Sequence, residues 1–352
     1  MAEVSPAAPR RGYIDALKGF GILLVVFGHF EEYYRGTSPL FNGSYECIYL
    51  FHMALFCIAS GLVAKLTLRK LITQQLWLYA VCQVIMFFFR WIVLRENFSE
   101  TGGPLSALVL PWRHMWYLFA LLFWELTVPL LMLLRRKLGL AGSFLGFAAA
   151  VVLGLWSGTK ELPFALVRVF SFYPFYAFGV LFRQEVDLWH TACRKQALLR
   201  WLPTLTAAVV YGSWFRLIWN APEPVYEGVR IWQDAAYRDG YTMLDRGAFY
   251  LIGVLTAIAL LGFIGPLHSL QSLGRRTLPV YVFHMPILAF FIELGVFALP
   301  DKPLPAVFAW VLLLTGGTVC LLASTPIHTV FGWIANFWYK TIPAFFSKQR
   351  DL

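Results

Sequence analysis

Charge is what this sequence has least of: Asp, Glu, Lys and Arg make up 14% of its 352 residues, against 59% apolar residues and 18% aromatics. A water-soluble domain carries about a quarter charged residues. There is too little charge here to cover a soluble surface, which excludes a soluble enzyme and a disordered chain. Cysteine is sparse as well. The five present, Cys47, Cys57, Cys82, Cys193 and Cys320, form no CxxC pair and no metal-type cluster. A disulfide-stapled secreted module is therefore excluded, and four of the five fall in apolar runs where small buried residues are expected. Also missing are HExxH, GxSxG, phosphate-cradling glycine loops and glycosidase-like carboxylate pairs. No metal site is expected.

What recurs instead is runs of ~20 apolar residues, the length that crosses hydrocarbon. They lie near 14–34, 45–66, 71–94, 114–134, 138–157, 163–183, 198–219, 242–264, 277–297 and 304–324. In lipid a backbone must satisfy its own hydrogen bonds, so each run is expected to be a helix. The fold class is all-α, a polytopic membrane protein of about ten spans. Pro129, Pro174, Pro203 and Pro286 are expected to kink or end turns locally.

Basic residues set the direction. Alternate loops hold 17 Lys and Arg, beginning with Arg10 and Arg11 and ending with Lys340, Lys348 and Arg350, while the opposite set holds seven. The positive-inside rule then places both termini in the cytoplasm. The net charge of +10 is thus explained by topology and not by nucleic acid. Residues 1–352 read as one transmembrane domain with a cytoplasmic tail at 1–13. The stretch 325–352 reads as a cytoplasmic amphipathic helix. The first apolar run is taken as a retained span, not a signal peptide. The outer loop 220–241 reads as a lid or acceptor-binding loop, and Gly102–Arg113 as a segment dipping back into the membrane.

An ionisable group inside a span is expensive unless it faces protein or a wet cavity, so each is a candidate site. Lys18 and His29 are eleven residues apart, roughly 16 Å of rise on nearly the same helical face. Asp15 shares that face, three residues before Lys18. His52, His114, Arg168, Arg216 and Arg246 sit at depths matching His29, so all are expected to open onto one outward-facing cavity. Trp116 and Tyr117 offer faces to a sugar ring or belong to the ordinary interfacial belt. His284 either lines the same cavity or bonds at the Pro286 kink. His190, His268 and His328 are expected in water.

These residues carry a family resemblance. Asp15-Ala16-Leu17-Lys18-Gly19 leading to Gly28-His29, Phe51-His52-Met53 with Ser60-Gly61, His114-Met115-Trp116-Tyr117-Leu118, and Thr277-Leu278-Pro279-Val280-Tyr281 with His284 follow one another in order. In this arrangement the chain resembles the membrane-bound acyltransferase 3 family, in the branch of fucose 4-O-acetylase-like and exopolysaccharide O-acetyltransferases. The family's first-span Arg and His map onto Lys18 and His29; Lys keeps the charge but loses the bidentate fork. Arg69-Lys70 only loosely matches a paired-arginine feature of some members.

The resemblance implies about ten spans in a bacterial cytoplasmic (inner) membrane and transfer of an acyl group from cytoplasmic acyl-CoA to an extracytoplasmic glycan or polyprenol-linked saccharide. Acetyl-CoA is then a co-substrate, with no permanently bound cofactor. His29 would act as general base or as a transient acetyl-imidazole. Asp15 would orient Lys18 at the mouth for the CoA phosphates, and Arg168 or His52 would stabilise the oxyanion. A passage along the first span, from Lys18 to His29, is expected to admit the thioester. The rival readings are a transporter or flippase of lipid-linked saccharide and a membrane scaffold subunit.

Overall fold

The computed structural model of the chain describes residues 11–160, 162–163, 165–235, 242–265, 267–299 and 302–341. Arg10, Lys348 and Arg350 of the inner loops, and Arg238, one of the seven basic residues of the opposite set, lie outside the described residues, as does the tail beyond 341. Everything described is helix, turn or coil, with no strand among the described residues. Six helices are long and apolar enough to cross a membrane, and a bent pair makes a seventh. The chain is a helical membrane protein.

In order, α1 is Gly12–Glu31, α2 Pro39–Tyr49, α3 His52–Val63 and α4 Leu68–Val93. Short α5, Pro104–Val109, precedes α6, Trp116–Ser157. Then come α7 Leu166–Leu181, α8 Arg183–Lys195, α9 Ala197–Trp219, α10 Glu223–Ala235 and α11 Met243–Phe263. Short α12, His268–Gly274, is followed by α13 Thr277–Glu293, α14 Leu304–Leu322 and α15 Thr325–Thr341.

The continuous helix α6 is in fact two spans folded back to back. Gly139 adopts φ 61°, ψ −138°, a left-handed turn that glycine enters without a Cβ clash. Beyond it Gly146 packs against Leu131 and Leu134, and Arg135 Nη1 donates to Ser143 Oγ at 3.1 Å. This matches the two runs expected at 114–134 and 138–157.

Breaks fall where side chains and neighbours demand them, not at prolines. Pro129, Pro174, Pro203 and Pro286 all lie inside helices. The second run is interrupted between α2 and α3, and α7 turns by 73° into α8. At Pro286 the carbonyl of Val282, left without its amide donor, accepts from His114 Nε2 at 3.0 Å. The α8 segment, expected to be a solvated loop, is a helix lying across the bundle end. His190 there is half-buried, not fully in water: its ring stacks on Tyr13 at 4.1 Å and its Nδ1–H donates to Leu261 O at 2.8 Å. Cys320, expected to be buried, is exposed on α14.

Small residues fix the central crossings, as membrane helices require when no hydrophobic driving force separates lipid from protein. Gly61 of α3 and Gly179 of α7 face each other with no room for a Cβ against the carbonyls of Tyr176 and Ile58. Gly19 of α1 and Gly274 of α12 do the same against Leu270 and Asp15. Of the glycines in the sequence motifs, Gly19 and Gly61 are contact points between helix backbones, while Gly28 makes room for the Tyr49 and Ile48 side chains.

Charges the sequence assigned to the inner side gather at one end of the bundle. Arg11 pairs with Asp187 at 2.9 Å, Arg275 Nε meets Asp15 Oδ2 at 3.4 Å, and Arg183 donates to the carbonyls of Gly61 and Ala64. Helix α15 packs along the start of α4, where Trp77 Nε1 donates to Ile334 O at 2.9 Å. At the other end α5 folds back beside α4: Tyr79 Oη and Gln83 Nε2 donate to the carbonyls of Val109 and Leu110. Helix α10 fills the described part of the 220–241 loop, and Tyr226 reaches Glu46 Oε1 at 3.4 Å.

Candidate functional site

At the end of α1 opposite Asp15, six segments enclose a cavity of about 280 Å³. Helix α1 and its 3-10 extension contribute Val25, His29, Glu32 and Arg35; α2 contributes Tyr45 and Tyr49; α3 contributes His52 and Met53. The loop entering α6 brings Arg113, His114 and Trp116, α7 brings Arg168, and α13 brings Tyr281 and Met285. An apolar bundle thus carries a polar chamber near one end.

The imidazoles are held in defined tautomers. A carbonyl oxygen only accepts, so the ring nitrogen beside it must carry the proton. His52 Nδ1–H donates to Ile48 O at 2.9 Å, His114 Nε2–H to Val282 O at 3.0 Å, and His284 Nδ1–H to Tyr281 O at 2.7 Å. Each neutral ring keeps one bare nitrogen. Those of His114 (Nδ1) and His284 (Nε2) are buried and have no partner.

His29 differs in its partners. Its Nδ1 faces Glu32 Oε2 at 3.3 Å and Tyr49 Oη at 3.0 Å, so no backbone carbonyl holds it. A carboxylate on Nδ1 fixes the proton there and leaves Nε2 as the basic nitrogen facing the cavity. The same carboxylate stabilises the imidazolium once Nε2 accepts a proton. Spacing explains the pair: residues three apart on a helix are neighbours. His284, buried below, stands 5.3 Å from the His29 ring and 5.0 Å from that of His114. Among the described residues no group is placed to hold a metal ion.

Three guanidiniums also line the cavity. Arg35 pairs with buried Glu46 at 2.6 Å and lies over the Tyr45 ring at 4.3 Å. Arg168 Nη1 approaches the carbonyl of Arg113 at 3.5 Å. Arg113 itself has φ 40°, an uncommon conformation for a residue with a Cβ, and strained backbone of this kind concentrates at working sites. The turn delivers His114 into the bundle, where the Tyr281 hydroxyl donates to its carbonyl.

The candidates from sequence divide cleanly. His29, His52, His114, Trp116 and Arg168 line the cavity, and His284 lies just behind it. Tyr117 does not line it: its hydroxyl bonds Ser60 Oγ at 2.6 Å, below the floor. Arg246 was expected in the cavity and is elsewhere. It is 1% exposed, and its Nη1 donates to Gly154 O at 3.2 Å, to Ser157 Oγ at 3.2 Å and to Ser171 Oγ, tying α6, α7 and α11 together. Arg216 is exposed on α9 and also misses the cavity, because its helix turns that position outward. Asp15 and Lys18 are at the far end of α1.

The expected passage is closed. Of α1's residues, the lining begins only at Val25, seven positions or roughly 10 Å beyond Lys18. Between them Gly21 touches the Phe56 ring, and Ile22 and Leu55 are fully packed. Residues that the sequence reading passed over are Glu32, Arg35, Tyr45, Tyr49, Met53, Arg113, Tyr281 and Met285. The His29-to-Glu32 spacing was the available signal; Tyr281 stood inside a quoted motif.

Fold and cavity together define an integral membrane protein with a carboxylate-oriented imidazole facing a polar chamber. The chain belongs to the acyltransferase 3 family, whose acyltransferase domain matches residues 11–346. It is similar to nodulation protein NolL of Sinorhizobium fredii (strain NBRC 101917 / NGR234), 30% identical over 217 residues, 57% of this chain and 57% of that protein. Nodulation protein NolL of Mesorhizobium japonicum (strain LMG 29417 / CECT 9101 / MAFF 303099) is 27% identical over 187 residues, 49% of this chain and 48% of that one. The chain thus spans about half the length of the curated relatives it matches. No solved structure matches it.

Proposed function

We propose that the protein is an O-acyltransferase that moves an acyl group, acetyl by preference, from cytoplasmic acyl-CoA to a hydroxyl of an extracytoplasmic or lipid-linked glycan. The observation that carries this reading is the His29–Glu32–Tyr49 arrangement opening onto a cavity lined by arginines, in a chain of the acyltransferase family.

The chemistry follows from the tautomers. His29 Nε2 takes the proton of the sugar hydroxyl as its oxygen attacks the thioester carbonyl. Glu32 holds the ring in register and stabilises the imidazolium. The tetrahedral oxyanion is met by Arg168 or Arg113, an interaction worth ~3 kcal/mol when well aimed. It collapses with cleavage of the C–S bond, and the imidazolium returns the proton to the departing thiolate. His52 cannot serve that oxyanion while neutral, because its N–H is spent on Ile48 and the nitrogen left over only accepts. Its use is to receive a substrate hydroxyl.

Both termini face the cytoplasm on this reading, so the donor arrives from the Lys18 end, with Lys18 and the basic inner loops attracting the CoA phosphates. The packed layer between Lys18 and Val25 must then open during the cycle. The experiment is mass spectrometry of ester groups on surface glycan from a deletion strain, with and without the gene restored. Loss of ester groups alone supports transfer; loss of the whole glycan from the surface supports a flippase instead.

A further inference from the structure

Two of the three positive-φ residues other than glycine among the described residues bound one connection, the segment that joins α4 to α6: Arg95 at φ 50° and Arg113 at φ 40°. The helix leading into it is irregular too. Helix α4 closes on a π turn, Phe89–Val93, in which the Leu94 amide donates to Phe89 O at 3.2 Å. The Glu96 amide then donates to Arg90 O at 3.0 Å. Single π turns of this kind recur at functional positions. Here the turn buries Arg90, which grips the Glu96 carboxylate with two nitrogens, Nε at 2.7 Å and Nη2 at 2.6 Å.

Trp112 spaces two guanidiniums, its ring 5.9 Å from Arg90 Cζ and 5.8 Å from Arg113 Cζ. Arg113 stands within Coulombic reach of Glu96 on one side and of Glu32 on the other. Charges of alternating sign therefore run from α4 to the base: Arg90, Glu96, Arg113, Glu32, His29. The hydrogen bonds from Arg90 hold the Glu96 carboxyl below the usual carboxylate value, and Arg113 adds to the effect. Glu96 thus carries its charge at neutral pH.

We propose that Glu96 is a positioning residue for the reaction: clamped by Arg90, it takes up part of the Arg113 charge and so leaves Glu32 to steer and stabilise His29. The proposal rests on the acyltransferase reading and adds to its site a carboxylate that does not line the cavity. Glu32 is faced by His29, Arg35 and Arg113, and Arg35 is paired with Glu46 at 2.6 Å. Attraction between Arg113 and Glu32 weakens the hold of Glu32 on His29 Nδ1, 3.3 Å away. Glu96 draws the same guanidinium from the far side. Tyr49, His52, His114 and His284 also face His29.

The test is a double-mutant cycle on the full-length protein in nanodiscs, with two readouts. One is the titration of His29 by NMR of histidine-labelled protein, its signal assigned by its loss in His29→Ala. The other is the acid limb of the pH–rate profile for acyl transfer. Glu96→Gln keeps the shape of the side chain and removes its charge, so Arg113 turns to Glu32 and the imidazolium loses support. Both midpoints are expected to fall by about half a pH unit. Arg90→Gln releases Glu96 to Arg113 alone, and both are expected to rise by a similar amount. The double variant is expected to match Glu96→Gln, because Arg90 acts only through Glu96. These midpoints do not depend on how much protein folds. If Arg90→Gln gives no folded protein, Arg90→Lys takes its place, keeping the charge without the fork, with a smaller rise expected. Shifts that cancel in the double variant, as for charges removed independently, or an unmoved midpoint in Glu96→Gln would overturn the proposal. Absence of acyl transfer by the native chain would defeat the acyltransferase reading alone, since the NMR titration still reports on Glu96.

Discussion

Arg168 and Arg246 lie on neighbouring helices at similar depth, and the molecule uses them in opposite ways. Arg246 donates one nitrogen to Gly154, Ser157 and Ser171 and is sealed from the cavity. Arg168 lines the cavity beside Arg113. Both meet the cost of a guanidinium within apolar surroundings, one by hydrogen bonds to three groups on two helices, the other by facing a polar chamber. Depth in a span nominates a charge for function. What its nitrogens touch decides the matter.

The sharpest way to break this contrast is at His29. Its replacement by Ala is expected to lower acyl transfer about 10³-fold at equal protein level, while Arg246→Met leaves the specific activity of whatever protein folds within about twofold. Arg246→Met is expected instead to cost on the order of 3 kcal/mol of stability by removing the charged hydrogen bonds to Gly154, Ser157 and Ser171, read as lower abundance and a lower melting temperature in detergent. Glu32→Gln should lower kcat about 10²-fold with KM little changed, since the base survives but its tautomer is no longer enforced. Tyr49→Phe is expected to cost about tenfold, measured in the same assay, because one of two partners on Nδ1 is lost. Arg216→Ala should change neither activity nor abundance measurably, and a strong loss there would show that α9 contributes to the site.

Much of this was legible in the sequence. Apolar runs fixed the helices, because a lipid-facing backbone has few alternatives to helix, and even the hairpin at Gly139 fell within two residues of the gap between two expected runs. His29, His52 and His114 stood out because imidazoles are costly in such runs. What escaped notice depends on rotation about helix axes and on partners distant in sequence. Arg246 and Arg168 look alike until α6 supplies Ser157 to one of them. His190 looks solvated until α8 folds under the bundle and meets Tyr13. Tyr49 reaches His29 only because the second run breaks after α2. Glu32 was within reach of a spacing argument and was passed over because it follows the apolar stretch.

The closed layer between Lys18 and Val25 is the other difference from expectation. Gly21 against Phe56, with Tyr117 bonded to Ser60 nearby, makes a floor of packed side chains under the cavity. Packed interiors move between discrete arrangements instead of deforming smoothly, so donor entry calls for a distinct open state. Gly21→Leu, which presses on Phe56, is expected to reduce turnover more than it reduces acceptor binding.

The central claim is that His29, steered by Glu32, removes the proton from the acceptor hydroxyl. The most direct measurement is transfer of labelled acetyl groups from acetyl-CoA to glycan acceptor by purified protein in proteoliposomes, comparing the native chain with His29→Ala at matched, folded amounts. The account predicts a rate reduced about 10³-fold with acetyl-CoA binding retained. An unchanged rate would contradict it.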